Sequence, residues 1–400
     1  MKIVQICLKP PYPPKDGGSI AMNNITQGLI AAGHQVQVIS VNTPKHFVDI
    51  NSLPAWYREQ TNIKFGFIDT EVKIFAALQN LLFSNRSYNL SRFEDKDFEQ
   101  LIIDSLKETD YDIVLLESVF LKSYVPVIRA YSKAKVVLRA HNVEFMIWER
   151  MAEQERAFLR KQYLKILAKR FKREEQQCLN SFDAICAITE NDKKIYQNLG
   201  CTIPIEVIPS GPDVHKMTDA VDNSALEYPS VFHIGALDWL PNREGLTWFL
   251  DNVWNTISKE FPELKFYIAG RGDASWLDAS KYTNVVFLGE ITDAADFIMS
   301  KAIMVVPLFS GSGMRIKIIE GMMLGKAIVS TGIGVEGINA ENGYDILLAD
   351  TATEFSNHLR HLVMDKDLFD RIAQNAQIKA QTHYSHKVLT NKLSRFLDSI

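Results

Sequence analysis

Short apolar runs in the first half of the chain alternate with segments that have a helical period. The strand-like runs are KIVQICL, HQVQVIS, YDIVLLES, KVVLRAHN and FDAICAIT. IAMNNITQGLIAAG, between the first two runs, has the period of a helix, and Gly33 is placed to end it. This order predicts a βαβ unit in a parallel α/β sheet. A long charged helix is predicted over residues 144–180.

A second series of the same kind occupies the other half of the chain. Its strand-like runs are VFHIGAL, LKFYIAG, VVFLGEI, IMVVPLF and KAIVST, and helical stretches such as GLTWFLDNVWNTISKEF alternate with them. Prolines and a glycine make IPSGPDV the natural linker between the two series. The pattern therefore predicts two α/β domains of similar size, and the helical stretch after His383 could dock on either of them.

Composition narrows the function classes. A formal net charge of −4 offers no overall field for nucleic acid. The cysteines show no C-x-x-C spacing, which favours buried thiols in a reducing compartment over a disulfide framework or a metal site; they are Cys7, Cys178, Cys186 and Cys201. MKIVQICLKPPYPP indicates a first strand and not a signal peptide, and no apolar run approaches the roughly 18 residues of a membrane span. The expected location is cytoplasmic.

The stretch GSGMRIKIIEGMMLGKAIVST, residues 311–331, combines a glycine turn, two cations and an acid at the start of a helix. Glycines let a ligand approach the backbone, and a helix N-terminus favours an anion. Arg315 and Lys317 add positive charge, while Glu320 shares a face with Lys317 and could bind a ribose diol. The pattern indicates a nucleotide site, although a solvated helix face would look similar. It matches neither G-x-G-x-x-G nor a Walker A loop.

Several segments together resemble the family 4 glycosyltransferases. They are IEVIPSGPDVHK, FHIGALDWLPNREGLTWFL, LKFYIAGRGD and GSGMRIKIIEGMMLGKAIVSTGIGVEGI. The resemblance implies a GT-B fold, with two Rossmann-like domains facing each other across a cleft: residues 1–207 with a crossing helix at 384–400, and residues 208–383. It also implies a donor site on the second domain, an acceptor site on the first, and retaining, metal-independent transfer from a UDP- or GDP-linked sugar.

The family pattern can be carried over position by position. Glu320 matches the second glutamate of the family's E-x7-E motif, which binds the donor ribose, whereas Ser312 stands where the first glutamate would be. The family also has an Arg and a Lys after the first strand of the second domain, and GALDWLPNREG has no clear equivalent. We expect Arg315 and Lys317 to replace them, with Arg243 and Arg271 as weaker candidates.

Two N-terminal segments complete the expected site. Gly17 and Gly18 lie in the first strand-to-helix loop, which approaches the donor phosphates in the family, and His141 matches a histidine that contacts the transferred sugar. The expected catalytic residues are His141, Arg315 and Lys317. The expected donor-binding residues are Gly17, Gly18, Asn142, Gly311, Ser312, Gly313, Met314 and Glu320.

Family association favours a glycan or lipid-linked oligosaccharide as acceptor, in surface polysaccharide synthesis. The basic stretch at residues 153–177 could contact an anionic membrane, or it could be a packed helix with a solvated face. Two other classes stay open: a non-catalytic relative that binds sugar nucleotides or glycans, and a nicotinamide-dependent oxidoreductase. The missing first glutamate favours the former, and the absence of G-x-G-x-x-G argues against the latter.

Overall fold

The computed structural model describes residues 1–212, 226–311 and 313–400. The chain divides into two compact units, which we call unit 1 (Met1–Pro209 with Leu389–Ile400) and unit 2 (Ser210–Val388). Of the predicted linker IPSGPDV, residues 213 and 214 lie outside the described part.

Unit 1 is built on a parallel sheet. Its strands are β1 Lys2–Cys7, β2 Gln35–Asn42, β3 Lys64–Phe67, β4 Ile113–Glu117, β5 Lys135–Ala140, β6 Ala184–Ala187 and β7 Ile205–Val207. Its helices up to the linker are α1 Gly17–Ala31, α2 Ala55–Thr61, α3 Ile74–Phe83, α4 Tyr88–Ser91, α5 Lys96–Glu108, α6 Val125–Tyr131, α7 Glu144–Gln154, α8 Phe158–Cys178 and α9 Glu190–Asn198. The strand order is β3-β2-β1-β4-β5-β6-β7, so the order reverses between β1 and β4.

Unit 2 repeats this plan with a second parallel sheet. Its strands are β8 Glu227–Ile234, β9 Phe266–Ala269, β10 Val285–Gly289, β11 Lys301–Val306, β12 Ala327–Ser330 and β13 Leu347–Leu348, in the order β10-β9-β8-β11-β12-β13. Its helices are α10 Leu240–Phe249, α11 Asn255–Glu260, α12 Ala294–Met299, α13 Ile316–Met323, α14 Ala352–Met364 and α15 Lys366–Tyr384. The last helix is α16, His386–Asp398.

The strands are apolar on both faces because helices cover both sides of each sheet. In β1, Val4 and Ile6 belong to one core cluster, while Ile3 and Cys7 belong to another on the opposite face. Most of α16 returns to unit 1, where Leu393 packs into the second of these clusters.

The charged helix predicted over residues 144–180 is wrong in its continuity. The segment forms two helices, α7 and α8, and the chain is extended at Glu155 between them. The Glu155 side chain accepts a hydrogen bond from the Ala157 amide at 2.9 Å. A side chain that satisfies a nearby backbone amide offers the chain an alternative to continued helix, and no glycine or proline marks the break.

The four cysteines are free thiols, as predicted, but they are not equally buried. Cys7 and Cys186 are buried in the sheet of unit 1, whereas Cys178 and Cys201 are only partly buried. Burial raises the pKa of Cys186 to about 12.

Candidate functional site

A glycine turn joins β11 to α13 in unit 2. Gly311 and Gly313 have φ angles of 107° and 81°, in the left-handed region that other residues rarely adopt. A Cβ atom on Gly311 would also lie 3.1 Å from Arg315 Nη2 and 3.1 Å from the Trp239 ring. The turn therefore requires glycine both for its backbone conformation and for space.

Arg315 stands at the start of α13 and is only 6% exposed. Its Nη1 donates a hydrogen bond to the Gly313 carbonyl, and its guanidinium lies over the Trp239 ring, 5.6 Å from the centroid. Arg315 thus ties the glycine turn to the loop that follows β8.

Lys317, in the first turn of α13, points toward β8. Its Nζ lies 3.0 Å from Asn242 Oδ1 and 3.4 Å from His233 Nε2. The other ring nitrogen of His233, Nδ1, is 2.9 Å from the Val305 carbonyl oxygen. Because that oxygen can only accept, Nδ1 carries the proton, and Nε2 of the neutral ring accepts from Lys317.

Both titratable groups of this contact are perturbed. Burial, together with the charge of Lys317, holds the pKa of His233 well below its ordinary value. Burial, followed by repulsion from Arg315, lowers the pKa of Lys317 to about 7. The lysine is held by neutral acceptors beside another cation, and that environment would become more favourable if an anion entered it.

Lys317 reaches the loop after the first strand of unit 2. A Cβ on Gly235 would lie 3.1 Å from Lys317 Nζ and 2.8 Å from Asn242 Nδ2. The ammonium group therefore lies against the segment in which the resemblance expects phosphate-binding cations. The weaker candidates Arg243 and Arg271 are exposed.

The remaining predicted donor-binding residues of unit 2 are Glu320, Met314 and Ser312. Glu320 is partly buried one helical turn after Lys317, on the same face of α13. Met314 packs partly buried against the core of unit 2. Ser312 lies outside the described residues.

A buried polar network surrounds His141 in unit 1. His141 Nε2 lies 2.8 Å from Glu117 Oε2, which also accepts from Arg139 Nη1 at 3.0 Å. Glu117 Oε1 accepts from Gln5 Nε2 at 2.7 Å, and Gln5 Oε1 accepts from the Thr26 hydroxyl at 2.6 Å. Strands β1, β4 and β5 and helix α1 are thus joined around one carboxylate.

The charges of this network determine the protonation state and the tautomer of the His141 imidazole. Burial opposes ionisation of Glu117, but Arg139 and His141 outweigh it and hold its pKa below the ordinary value. Burial, followed by the charge of Arg139, lowers the pKa of His141. The carboxylate is closer to Nε2 than the guanidinium is, 2.8 Å against 3.3 Å, so Nε2 carries the proton and Nδ1 of the neutral ring is left as an acceptor.

Asn142 follows His141 at the carboxyl edge of the sheet. Its carbonyl accepts from the Tyr196 hydroxyl at 3.0 Å, and its Nδ2 lies 3.4 Å from Glu144 Oε1. Burial raises the pKa of Glu144 to about 7. The backbone of Asn142 is therefore fixed by a buried tyrosine.

Gly17 and Gly18, which were predicted to lie in the loop before the helix, instead form the first turn of α1, because Asp16 caps the helix directly before them. They lie next to an ion pair. Asp16 caps the helix by accepting from the Ser19 amide at 2.9 Å, and Lys9 Nζ lies 2.6 Å from the same carboxylate. Burial alone would raise the pKa of Asp16, but the hydrogen bonds from Lys9 and Ser19 outweigh it and lower that pKa to about 2. A Cβ on Gly18 would lie 3.0 Å from Lys9 Nζ, so glycine gives the lysine room at the helix start.

Family models match both units. The model described as Glycosyltransferase Family 4 matches residues 15–216, and the model described as Glycosyl transferases group 1 matches residues 228–365. The first match alone spans half of the 400 residues. This chain is a family 4, group 1 glycosyltransferase. The family predicted from the sequence is therefore confirmed, and the nicotinamide-dependent alternative is set aside.

Relatives of this glycosyltransferase match along its length. An uncharacterised 44.6 kDa protein in the cps region of Klebsiella pneumoniae is 25% identical over 399 residues, covering 96% of this chain and 97% of that protein. Sucrose-phosphate synthase from Thermosynechococcus elongatus superposes with a TM-score of 0.71 at 14% identity, covering 100% and 99% of the two chains. The Anabaena protein HepE in complex with UDP gives 0.66 at 15% identity, covering 100% of both.

These full-length superpositions confirm the predicted GT-B fold. Among the residues that the structure describes, no helix is long and apolar enough to cross a membrane. Within the described residues, no group of three or more His, Cys, Asp or Glu side chains is arranged to hold a metal ion.

Sequence reasoning missed the side chains that surround the predicted site residues of this glycosyltransferase. In unit 2 they are His233 and Asn242, which hold Lys317. In unit 1 they are Glu117 and Arg139, beside His141, and Lys9, beside Gly18. One available signal was a single polar residue inside an apolar strand run, as in VFHIGAL and IVLLES.

Proposed function

We propose that the protein is a retaining, metal-independent glycosyltransferase. It would move a sugar from a UDP- or GDP-linked donor to a glycan or lipid-linked oligosaccharide in surface polysaccharide synthesis. The observation that carries the donor class is Lys317, whose ammonium lies over Gly235 among neutral acceptors, beside the glycine turn of Arg315. Support also comes from HepE, which is solved with UDP and with UDP-glucose, and from the relative in the cps region.

In this proposal the donor diphosphate binds the backbone amides at the start of α13 and the ammonium of Lys317. Arg315 shapes the glycine turn and adds positive charge, and Glu320 accepts hydrogen bonds from the ribose hydroxyls. Gly17 and Gly18 are proposed phosphate contacts, and His141 and Asn142 are proposed contacts of the transferred sugar.

Retention follows in this proposal from the leaving group acting as the base. As the bond from the anomeric carbon to the diphosphate oxygen breaks, negative charge develops on that oxygen. The acceptor hydroxyl gives its proton to the same oxygen while its own oxygen bonds to the anomeric carbon. Lys317, Arg315 and the helix dipole would stabilise the departing diphosphate in place of a metal ion.

Peripheral membrane contact through residues 153–177 belongs to the same proposal. At the start of α8, Phe158 is 71% exposed and Leu159 is 82% exposed, and the exposed Lys165 and Lys169 follow on this helix. Apolar side chains beside lysines suit an anionic lipid surface.

We expect the protein to sediment with anionic liposomes at low salt and a Phe158→Ser, Leu159→Ser variant to lose that binding. Met364→Ser, at an exposed methionine of unit 2, is the control; equal sedimentation of all three proteins would contradict the contact.

Calorimetric titration with UDP, GDP and NAD tests the donor class. We expect one nucleoside diphosphate to bind and Glu320→Ala to weaken that binding, whereas Glu263→Ala, at an exposed glutamate of unit 2, leaves it unchanged. Binding of NAD alone would overturn the proposal. Absence of all binding would favour a non-catalytic glycan-binding relative.

The anomer that first appears during slow donor hydrolysis tests the stereochemistry. For an α-linked donor, proton NMR should show the α-anomer before mutarotation. Early release of the β-anomer would contradict retention.

A further inference from the structure

A cavity of about 640 Å³ opens in unit 1 at the carboxyl ends of β1, β2 and β3. Its walls include Lys9 after β1, Pro44–His46 after β2 and Thr70–Val72 after β3. Ligands of open α/β sheets bind outside the carboxyl ends of the strands, and the volume is within the range of small-molecule sites. The position and the size therefore fit a substrate group.

Most of the charged side chains that line this cavity are cationic. Lys9, Lys45 and Arg92 are its positive side chains, and Glu71 is the carboxylate among its lining residues. Such an excess of positive side chains in a concave site raises the local potential for an anion. The protein as a whole has a net charge of −4, so this charge is local and is not a general property of the surface.

The cations of the cavity differ in how far they are already neutralised. Lys9 is paired with Asp16 at 2.6 Å. Arg92, by contrast, donates to neutral acceptors, with Nη1 2.6 Å from the Thr70 carbonyl and Nη2 3.2 Å from Asn89 Oδ1. Arg92 is therefore fixed in position by groups that leave its charge uncompensated, which is the arrangement an incoming oxyanion would use.

His46 lines the same cavity beside these cations. Burial, followed by repulsion from Lys9, lowers its pKa. A histidine that already experiences the field of nearby cations would be protonated more readily once an anion was bound. The apolar Leu8, Val72 and Phe93 line the same cavity and would suit the carbon face of a sugar ring.

We propose that this cavity binds the acidic group of a negatively charged acceptor, with Lys45 and Arg92 as its main contacts. This inference rests on the proposed function, because it assigns a chemical class to the acceptor of the same transfer reaction. The shared chemistry is a compact oxyanion on a glycan, which can be the carboxylate of an acidic sugar or the phosphate of a lipid carrier.

Ligand-observed NMR on the 400-residue chain, with saturating UDP or GDP present to occupy the donor site, tests the proposal. The probes are methyl glucuronide against methyl glucoside for a carboxylate, and glycerol phosphate against glycerol for a phosphate. We expect at least one acidic probe to bind about ten-fold more tightly than its neutral partner, since a charge-assisted hydrogen bond contributes about that factor. The probe that binds tells the two sources apart.

Variants locate the binding. Lys45→Gln, at an exposed side chain, and Arg92→Gln should each weaken the acidic probe about five- to ten-fold. Glu71→Gln should strengthen it about two-fold, because it removes a like charge. Lys133→Gln is the control, at an exposed lysine just before the amino end of β5, whereas the cavity lies at the carboxyl ends of the strands. It should leave the affinity for the acidic probe unchanged.

Equal binding of acidic and neutral probes, absence of both, or acidic binding that Lys45→Gln and Arg92→Gln leave unchanged would each overturn the proposal. Nucleotide titration of the same samples separates this failure from that of the proposed function. If UDP or GDP binds and the acidic probes do not, only the acceptor class is wrong. If neither nucleotide binds, the proposed donor is wrong as well.

Discussion

Each unit holds a cation within its polar centre, and the two units treat that cation differently. In unit 1, Arg139 is 1% exposed and its Nη1 lies 3.0 Å from Glu117, a carboxylate that is itself fully buried. In unit 2, Lys317 is held by the amide oxygen of Asn242 and the neutral imidazole of His233. The first cation is compensated within the fold, and the second is positioned but not compensated.

The difference indicates which cation serves the architecture and which is available to a ligand. A buried ion pair that loses one partner leaves an unpaired charge in a medium of low dielectric constant, so Arg139 and Glu117 depend on each other. A cation among neutral dipoles has already lost its hydration. A phosphate that binds beside it would again stabilise its charge. The pKa of Lys317, lowered to about 7, reflects this uncompensated environment.

The largest expected effect is on stability in unit 1. We expect Arg139→Met to lower the free energy of unfolding by about 3–5 kcal/mol, because Glu117 would remain buried without its guanidinium partner. Lys317→Met should change it by less than about 1 kcal/mol, since it removes a desolvated charge whose partners are neutral. Thermal and denaturant unfolding of both variants under the same conditions checks this contrast, and similar losses would remove the distinction between the two cations.

The second effect is on nucleotide binding in unit 2. We expect Lys317→Met to weaken binding of the preferred nucleoside diphosphate about 10- to 100-fold, the range for loss of one or two charge-assisted hydrogen bonds. Calorimetry measures it, with Lys265→Met as the control at an exposed lysine of the same unit. An unchanged affinity in the Lys317 variant would show that the ammonium does not contact the diphosphate.

The pH dependence of binding sharpens the same point. The pKa of Lys317 is lowered to about 7 in the free protein, and a bound diphosphate would raise it. Below pH 7 the lysine is already protonated, whereas above it binding must also recruit a proton, so the affinity falls as the pH rises. We expect UDP-glucose or the matching donor to bind about ten-fold more weakly at pH 8.5 than at pH 6.5.

Lys317→Met provides the control for this titration, because it should bind weakly at both pH values with little change between them. An intact sugar nucleotide is preferable to UDP, whose terminal phosphate titrates in the same range. A wild-type affinity that is constant from pH 6.5 to 8.5 would contradict the assignment of Lys317.

The smallest expected effect is on the free energy of unfolding, through the partly exposed ion pair of Lys9 and Asp16. Asp16 caps α1 and pairs with Lys9, whereas Asp95 caps α5 by accepting from the Asp97 and Phe98 amides. We expect Asp95→Ala to cost about 1 kcal/mol, the usual value of a cap, and Asp16→Ala to cost about 0.5 kcal/mol more. Thermal unfolding compares the two variants, and a smaller loss for Asp16→Ala would argue that its pairing with Lys9 contributes nothing.

The pH at which the Asp16 contribution disappears follows from its titration. Its pKa is about 2 in the folded protein and 3.8 ordinarily, so the contribution is present above pH 4 and is lost as the pH falls toward 2. The difference in stability between wild type and Asp16→Ala should therefore shrink over that interval.

Much of the fold could be predicted from the sequence because it depends on neighbours along the chain. Apolar runs of strand length gave most of the central strands, and the period of the helical stretch placed Lys317 and Glu320 on one face of α13. The short edge strands β3, β7 and β13 were missed, since segments of two to four residues carry little pattern. The break between α7 and α8 was missed because side-chain hydrogen bonding, and not glycine or proline, accompanies it.

The sequence by itself determined the α/β alternation, the glycine turn and the residues on one face of its helix. Each of these follows from backbone conformation and local periodicity. Only the tertiary structure decided which groups surround Lys317, because His233 and Asn242 are 84 and 75 residues away from it along the chain. The pairing of Arg139 with Glu117 likewise required β4 and β5 to be neighbours in the sheet. Burial and electrostatic environment arise from such distant contacts, so local pattern could propose the charged residues while packing determined which of them was left uncompensated.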